Sequence, residues 1–211
     1  MDALKQVEGV VAALDRADVD TDQIIPKQFL KRIERTGYGP FLFNDWRFNP
    51  DGSEKPDFEL NQPALEDAKI LVAGRNFGCG SSREHAAWAL HDYGFRAVIS
   101  SSFADIFLGN CYQTGIVPLQ LPEADVRKLL ERASKVPYRA TVDLEAMVVK
   151  GEDGLTISFQ LDPFRRRCLM EGLDDIGLTL QHEGEITRFE RERAVPPSWV
   201  ASGAAGASAA S

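Results

Sequence analysis

The stretch GRNFGCGSSREHAAWAL, residues 74–90, is the strongest indicator of the fold of this chain. It follows the run KILVA, residues 69–73, which suits a buried parallel strand. A helix is predicted from residue 82 to 93 because apolar positions recur on one face, and Gly94 then ends it. A glycine-rich turn therefore joins a strand to a helix, with two serines, an arginine and a glutamate where the helix begins.

Strand and helix alternate through the middle of the chain, which predicts an α/β fold with a parallel sheet core and right-handed crossovers. The β-rich ends predict additional β-strands, arranged as a sheet layered on that core. In chain order the predicted elements are strand 7–14, short helices 28–35 and 41–48, strand 96–100, helix 103–115, strand 116–121, helix 122–134, an antiparallel hairpin over 140–161 and one or two helices over 162–182.

The composition bounds the partners and the location of the protein. The 211 residues carry a net charge of −8, so no basic excess exists to neutralise phosphates, and we expect no nucleic-acid partner. No apolar run approaches the ~20 residues that span a bilayer, and the N-terminal sequence lacks the basic-then-apolar order of a signal peptide. We therefore expect no membrane partner and a cytoplasmic location.

The cysteines and histidines predict no metal site in this chain. Cys79, Cys111 and Cys168 lack the spacing of a disulfide framework, a zinc site or an iron–sulfur cluster. Cys79 is expected to be a packed free thiol. The alternative is a reactive thiol, because Cys79 lies near a helix N-terminus. The three histidines are expected to be ordinary packed or surface residues.

The glycine-rich turn admits a purely structural interpretation. Ser81 and Glu84 have the spacing of a capping box, and the glycines then only permit a tight turn. Cofactor loops fit less well, because Arg83 replaces the third glycine of a dinucleotide loop and no P-loop lysine is present. Ser81 and His85 share a helix face, but no aspartate is placed to orient the imidazole, which disfavours a serine hydrolase.

The same turn suits an anion. A helix N-terminus offers free N–H donors, and glycines let a ligand approach them closely. Arg83 in the first turn would oppose the helix dipole, so a negative group is expected beside it, either Glu84 or a bound carboxylate. Because arginine binds carboxylates bidentately, the residues alone indicate a di- or tricarboxylate site.

Residues 78–85 resemble the serine-loop motif of the aconitase-superfamily swivelling domain, written G-x-G-S-S-R-E-H. DVDTDQIIP, residues 18–26, is similar to the T-D-x-I loop of that family, and residues 96–121 resemble the strand–helix–strand after the serine loop. Residues 29–48 resemble the stand-alone small subunits of bacterial 3-isopropylmalate dehydratases. The resemblance implies a layered β/β/α swivelling domain over residues 1–195. Residues 196–211, rich in alanine, glycine and serine, are expected to form a disordered tail.

The resemblance also implies a division of the chemistry between two chains. A separate large subunit holds a [4Fe–4S] cluster, so no cofactor is expected in this chain. Together the subunits interconvert 2-isopropylmalate and 3-isopropylmalate by dehydration and rehydration in leucine biosynthesis, and this hydro-lyase subunit is expected to be inactive alone. A surface meant for a large subunit often stays apolar, so self-association of the isolated chain is a further expectation.

The resemblance assigns the catalytic base to Ser81, which would act as an alkoxide on a carbon beside a carboxylate. Ser82 and Arg83 carry over as ligands of the substrate carboxylate, and Gly80 exposes backbone donors. Backbone N–H groups, the helix dipole and Arg83 would stabilise the serine oxyanion. A capping bond made by Ser81 would compete with this role for the same oxygen.

Residues nearer the N-terminus complete the predicted substrate site. Thr21 and Asp22 match the T-D loop and are expected to shape the site or contact substrate, with a turn and helix cap as the alternative. Leu30, Lys31 and Arg32 occupy the place of a specificity loop, where Leu30 would contact the isopropyl group and a cationic residue would suit a substrate with another carboxylate. The alternative is that the basic residues are simply solvated. The candidates for a further substrate arginine are Arg35 and Arg47.

Two other functions are compatible with the same fold. One is a small subunit for citraconate, methylmalate or a related dicarboxylate, and the other is a non-catalytic carboxylate-binding module. A dinucleotide-binding protein is the least favoured interpretation.

Overall fold

The computed structural model describes residues 1–31, 34–135 and 137–193. The chain divides into two compact units, Met1–Asp174 and Asp175–Ser211. Arg32 of the predicted specificity segment and the predicted tail at 196–211 lie outside the described residues. The single domain over residues 1–195 stays a prediction.

The first unit contains seven strands, which are β1 (Gln6–Leu14), β2 (Ala68–Ala73), β3 (Ala97–Ser100), β4 (Val117–Gln120), β5 (Arg139–Asp143), β6 (Val148–Gly151) and β7 (Thr156–Ser158). They form one sheet in the order β4-β3-β2-β1-β5-β6-β7. Strands β4, β3, β2 and β1 pair in parallel, and β5, β6 and β7 extend the sheet in antiparallel pairs. The predicted α/β fold with a parallel core and additional strands is confirmed.

The helices of this unit are α1 (Thr21–Ile24), α2 (Asn44–Arg47), α3 (Glu84–Tyr93), α4 (Asp105–Thr114), α5 (Glu123–Ala133) and α6 (Pro163–Glu171). Short 3-10 helices span Lys27–Lys31, Gly39–Phe41, Glu59–Asn61 and Pro63–Leu65. Gly94 ends α3 as predicted, because its φ of 125° turns the chain and its N–H bonds back to the last helical carbonyls.

The parallel part of the sheet is largely buried on both faces, and β2 illustrates how the sequence achieves this. Side chains alternate along a strand, so Leu71 and Ala73 enter one buried cluster while Ile70 and Val72 enter the other. The first cluster is covered by α3 and the aromatic segment around α2, and the second by α5 and α6. This double burial explains why β2 reads as a continuous apolar run.

Two predictions about the β-rich regions are wrong in detail. The additional strands do not form a second sheet, since β5 pairs directly with β1 and continues the same sheet. The predicted strand over residues 140–150 is two strands, β5 and β6, joined by a tight turn in which Met147 has a φ of 57°. No glycine or proline marks that turn, so residues 140–150 look continuous.

Within the described residues, the predicted short helices also differ from the sequence pattern. The pattern over residues 28–35 becomes a 3-10 helix at Lys27–Lys31, and the aromatic segment 41–48 keeps only the four residues of α2. The predicted helix at residue 82 begins instead at Glu84.

The second unit contains α7 (Asp175–Leu180) and α8 (Glu183–Glu192) within its described residues, and α8 had not been predicted. Both helices carry exposed apolar side chains, which are Ile176, Leu180, Ile186 and Phe189. In the part of the chain that the structure describes, no helix has the length and apolar character needed to cross a membrane.

The sheet places three loops side by side. Strands β1, β2 and β3 are parallel neighbours, so their carboxyl ends lie at one edge of the sheet. The T-D loop follows β1, the glycine-rich turn follows β2, and residues 101–104 follow β3. Parallel α/β sheets bind ligands at this edge.

Candidate active site

The glycine-rich turn, residues 74–83, requires glycine for steric reasons. Gly78 and Gly80 have φ values of 76° and 92°, a backbone conformation that residues with a Cβ rarely adopt. A Cβ at Gly78 would overlap the ring of Phe107 and lie 2.5 Å from its Cδ1, well inside van der Waals contact. The turn therefore presses its backbone against α4.

Backbone hydrogen bonds hold the turn between its two neighbouring loops. On the β1 side, the Gly78 N–H donates to the Val19 carbonyl, and the Thr21 N–H donates to the Cys79 carbonyl, both at 2.8 Å. On the β3 side, the contacts are Phe77 N–H to the Ser102 carbonyl at 3.0 Å and Ala104 N–H to the Phe77 carbonyl at 3.1 Å. The turn thus has a defined geometry on both sides.

Ser81 lies exposed in an open cleft of about 250 Å³ at this edge. One wall consists of Thr21, Gly78, Gly80, Ser81, Ser82 and Arg83, and the other of Ala104, Asp105, Ile106 and Phe107. Gly80 and Ser82 are exposed as well. The structure therefore brings together the predicted base and three predicted ligand residues with Thr21.

Thr21 holds the backbone of the serine loop. Its side chain is 2% exposed, and its Oγ1 donates to the Ser81 carbonyl at 2.8 Å. Thr21 is also the first residue of α1, whose capping box is made by Asp20 and Gln23. The helix cap in the T-D loop is therefore Asp20 rather than Thr21 or Asp22, and Thr21 makes a direct contact with the predicted catalytic residue.

Arg83 pairs with Asp22 across 61 positions of sequence. The guanidinium Nη1 donates to Oδ1 of Asp22 in a short contact, and the Arg83 side chain is only 10% exposed. Lys27 Nζ lies 3.8 Å from the other oxygen of the same carboxylate. The hydrogen bond from Arg83 lowers the pKa of Asp22, with burial opposing and the Lys27 charge assisting.

The observed start of α3 corrects three predictions. Arg83 is the N-cap of α3 in extended conformation rather than a first-turn residue, and the carboxylate paired with it is that of Asp22 rather than Glu84. The capping box between Ser81 and Glu84 is absent, since Ser81 lies two residues before the N-cap and no side chain caps α3. The Ser81 oxygen is therefore not occupied by a capping bond.

Other predicted residues lie away from the cleft walls. Leu30 packs against the core and Lys31 is exposed at the end of its 3-10 helix, and neither lines the cleft. Arg47 is buried and donates to Asn61 Oδ1 at 3.2 Å, which makes it a packing residue rather than a substrate ligand. Arg35 lies over the ring of Trp88 at 5.8 Å.

The wall formed by the start of α4 had not been predicted. It includes Ile106, an apolar side chain that is 57% exposed. The available signal was topological, because the segment after β3 must reach the same edge as the segments after β1 and β2.

Cys79 and His85 make contacts that suit the packed roles expected of them. Cys79 donates its thiol to the Asp18 carbonyl at 3.4 Å, and burial raises its pKa, with the charges of Asp20 and Asp18 adding to the effect. This makes the thiol less reactive. His85 packs its ring against Trp88 at 4.7 Å, and burial lowers its pKa.

Metal ligands are not grouped within residues 1–31, 34–135 and 137–193, where no set of three His, Cys, Asp or Glu side chains could hold a metal ion. Cys111 and Cys168 are both buried. An iron–sulfur cluster therefore does not fit the described residues of this chain.

Comparison with known families agrees with this architecture. Residues 1–124 match the model of the aconitase C-terminal domain, and residues 127–163 match the model named LeuD_N. Residues 175–200 match the model of the C-terminal domain of 3-isopropylmalate dehydratase small subunits.

Curated relatives extend the match over most of the chain. The 3-isopropylmalate dehydratase small subunit of Halalkalibacterium halodurans is 56% identical over 193 residues, covering 92% of this chain and all of the relative. The corresponding protein of Rhodopirellula baltica is 61% identical, covering 88% of this chain and 96% of the relative.

The crystal structure of 3-isopropylmalate dehydratase from Methanocaldococcus jannaschii superposes with a TM-score of 0.66 at 24% identity. The superposition covers 87% of this chain and 98% of the M. jannaschii chain. At this identity the structural likeness supports the fold, and the predicted aconitase-type fold is confirmed. The identity to the curated relatives carries the assignment further: this chain belongs to the small-subunit family of 3-isopropylmalate dehydratase, within the aconitase superfamily.

Proposed function

We propose that this chain is the small subunit of a two-chain hydro-lyase that interconverts 2-isopropylmalate and 3-isopropylmalate in leucine biosynthesis, in the cytoplasm. The observation that carries the proposal is the position of Ser81, exposed in the same cleft as Arg83 and free of the capping role that would have occupied its oxygen.

Ser81 is proposed to act as the base that removes a proton from the carbon beside a substrate carboxylate. A serine hydroxyl is a strong base once ionised, but ionisation near neutral pH needs strong stabilisation of the oxyanion. The supporting groups are the backbone donors at the start of α3, the close approach permitted by Gly80, and the charge of Arg83. Thr21 supports the same role by fixing the Ser81 carbonyl.

Arg83 and Ser82 are proposed to bind a carboxylate of the substrate. The contact with Asp22 uses Nη1 of Arg83, and a guanidinium has five N–H donors in a planar fork. Asp22 therefore orients the fork instead of replacing the substrate, and it acts as a positioning residue rather than the predicted direct ligand. Leu30, Lys31 and Arg32 remain proposed specificity residues.

The [4Fe–4S] cluster is proposed for the large subunit, because the described residues here do not fit it. In the complex that cluster would supply the Lewis acid for the substrate hydroxyl. The contribution of this chain is to bind and orient the carboxylate and to hold the proton at Ser81 Oγ. The isolated chain is accordingly expected to show no isomerase activity. Its ability to self-associate is a separate expectation, which rests on an apolar surface meant for the large subunit.

The test is a comparison of variants in complex with the large subunit from the same organism, assayed anaerobically with 3-isopropylmalate. Ser81→Ala should lower kcat by about 10²- to 10⁴-fold, the usual contribution of a positioned base. Ser158→Ala, at an exposed serine on β7, is the matched control and should keep normal turnover. Co-purification of each variant with the large subunit separates lost chemistry from lost assembly. Near-normal turnover of Ser81→Ala would refute the proposed base.

A further inference from the structure

Three charged side chains lie in a row beside the cleft, with a carboxylate between two cations. Arg83 and Lys27 approach different oxygens of Asp22, the first in a direct hydrogen bond and the second at 3.8 Å. The exposed fractions of the side chains are 10% for Arg83, 40% for Asp22 and 75% for Lys27. The row therefore runs from a nearly buried cation at the cleft wall to a solvated cation outside it.

The arrangement has a physical consequence for Arg83. The negative charge of Asp22 lowers the attraction of the guanidinium for any second carboxylate, because both anions compete for the same positive charge. The positive charge of Lys27 attracts the other oxygen of Asp22 and offsets part of the negative charge of that carboxylate. Asp22 then competes less strongly with a second carboxylate for Arg83. Such charge effects are partly screened by water, which keeps the contribution of the exposed lysine modest.

We propose that Asp22 and Lys27 are positioning residues that together set how strongly Arg83 binds a carboxylate ligand. Asp22 orients the guanidinium and restrains its affinity, and Lys27 relieves part of that restraint. The inference rests on the proposed role of Arg83 as a carboxylate ligand, and it adds Lys27, which no motif had singled out. It also requires opposite effects from removing the two charges.

Opposite effects distinguish this proposal from simpler roles. If Asp22 and Lys27 only stabilised the fold, or both contacted the ligand, then substituting either would weaken binding. In the proposed arrangement Asp22→Asn tightens carboxylate binding and Lys27→Met weakens it. Lys27→Arg restores the charge and should bind like the unmodified chain.

The experiment uses the full chain and malonate as a probe dicarboxylate, at constant ionic strength. The ¹⁵N chemical shift of the Arg83 Nε–H group reports binding, and loss of that signal in Arg83→Lys assigns it. We expect Lys27→Met to raise the dissociation constant by about two- to fivefold, the range of exposed ion pairs, and Asp22→Asn to lower it by a similar factor. Neutral malonamide should cause no shift.

Several results would overturn the proposal. These are weaker binding in both Asp22→Asn and Lys27→Met, unchanged binding in both, or no malonate binding by any variant. Because the Lys27 side chain is largely solvated, Lys27→Met tests the proposal even if Asp22→Asn fails to fold. Malonate binding needs neither the large subunit nor turnover, so a failed dehydratase assay would refute the proposed function and leave this measurement interpretable.

The KM values of the complex provide a second readout. With 3-isopropylmalate as substrate, Lys27→Met should raise KM with kcat unchanged. Asp22→Asn should lower KM together with kcat, because the fork binds more tightly but is less well oriented. An equal fall of kcat in both variants, with KM constant, would contradict the proposal.

Discussion

Substituting Gly78 by alanine should destabilise the protein by more than its backbone conformation alone explains. A left-handed residue with a Cβ costs about 1–2 kcal/mol, and Gly78 has a φ of 76°. In addition, the new Cβ would overlap Cγ of Phe107 and lie 2.5 Å and 2.6 Å from its Cδ1 and Cβ. That side chain is 2% exposed and packs edge-on against Phe77 at 5.4 Å, so it cannot move without disturbing its neighbours.

The magnitude follows from these two contributions. Overpacking of a well-filled core usually costs about 1–3 kcal/mol. Together with the backbone cost, Gly78→Ala should therefore lower the free energy of unfolding by about 2–5 kcal/mol. The cleft should also deform, because residues 78–83 form its serine-bearing wall.

Gly52 offers a matched control for the backbone contribution. Its φ is 84°, close to that of Gly78, but a Cβ there would meet no atom within 4 Å. In urea unfolding, the losses of unfolding free energy caused by Gly78→Ala and Gly52→Ala should differ by the cost of the steric overlap alone, about 1–3 kcal/mol. The double variant Gly78→Ala/Phe107→Leu should lose less unfolding free energy than the two single variants together, because the smaller side chain at position 107 leaves room for the new Cβ. Equal losses for the two glycine variants would refute the steric argument.

Three further predictions concern single side chains. Ser100→Ala should lower the free energy of unfolding by about 1–3 kcal/mol in urea titration, because the buried hydroxyl donates to the Gly74 carbonyl at 2.7 Å at the base of the turn; an unchanged midpoint would contradict this. Asp22 has a lowered pKa through Arg83, so its contribution to stability, measured against Asp22→Asn, should be present above about pH 4 and vanish as pH falls through the folded pKa; a difference that grew toward low pH would have the wrong sign. Cys79 should react with iodoacetamide more slowly than a free thiol at pH 8, as followed by mass spectrometry, because burial raises its pKa; faster labelling would contradict that assignment.

Much of the α/β core was predictable because its signals are local. The apolar run of β2, the one-sided apolar pattern of α3 and the stop at Gly94 depend on neighbours a few residues apart. The motif around Ser81 then identified the family, and the comparisons bear this out. The turn between β5 and β6 was missed because it lacks glycine and proline, so its local signal is weak.

The residues alone predicted the strand–turn–helix unit, the order of the core elements and the grouping of Ser81, Ser82 and Arg83 on one turn. Two contacts emerged only from the folded chain: Asp22 is the partner of Arg83, and Thr21 holds the Ser81 carbonyl. The reason is distance along the chain. Contacts across 60 residues depend on which strands lie side by side, and neither residue type nor local spacing encodes that neighbourhood.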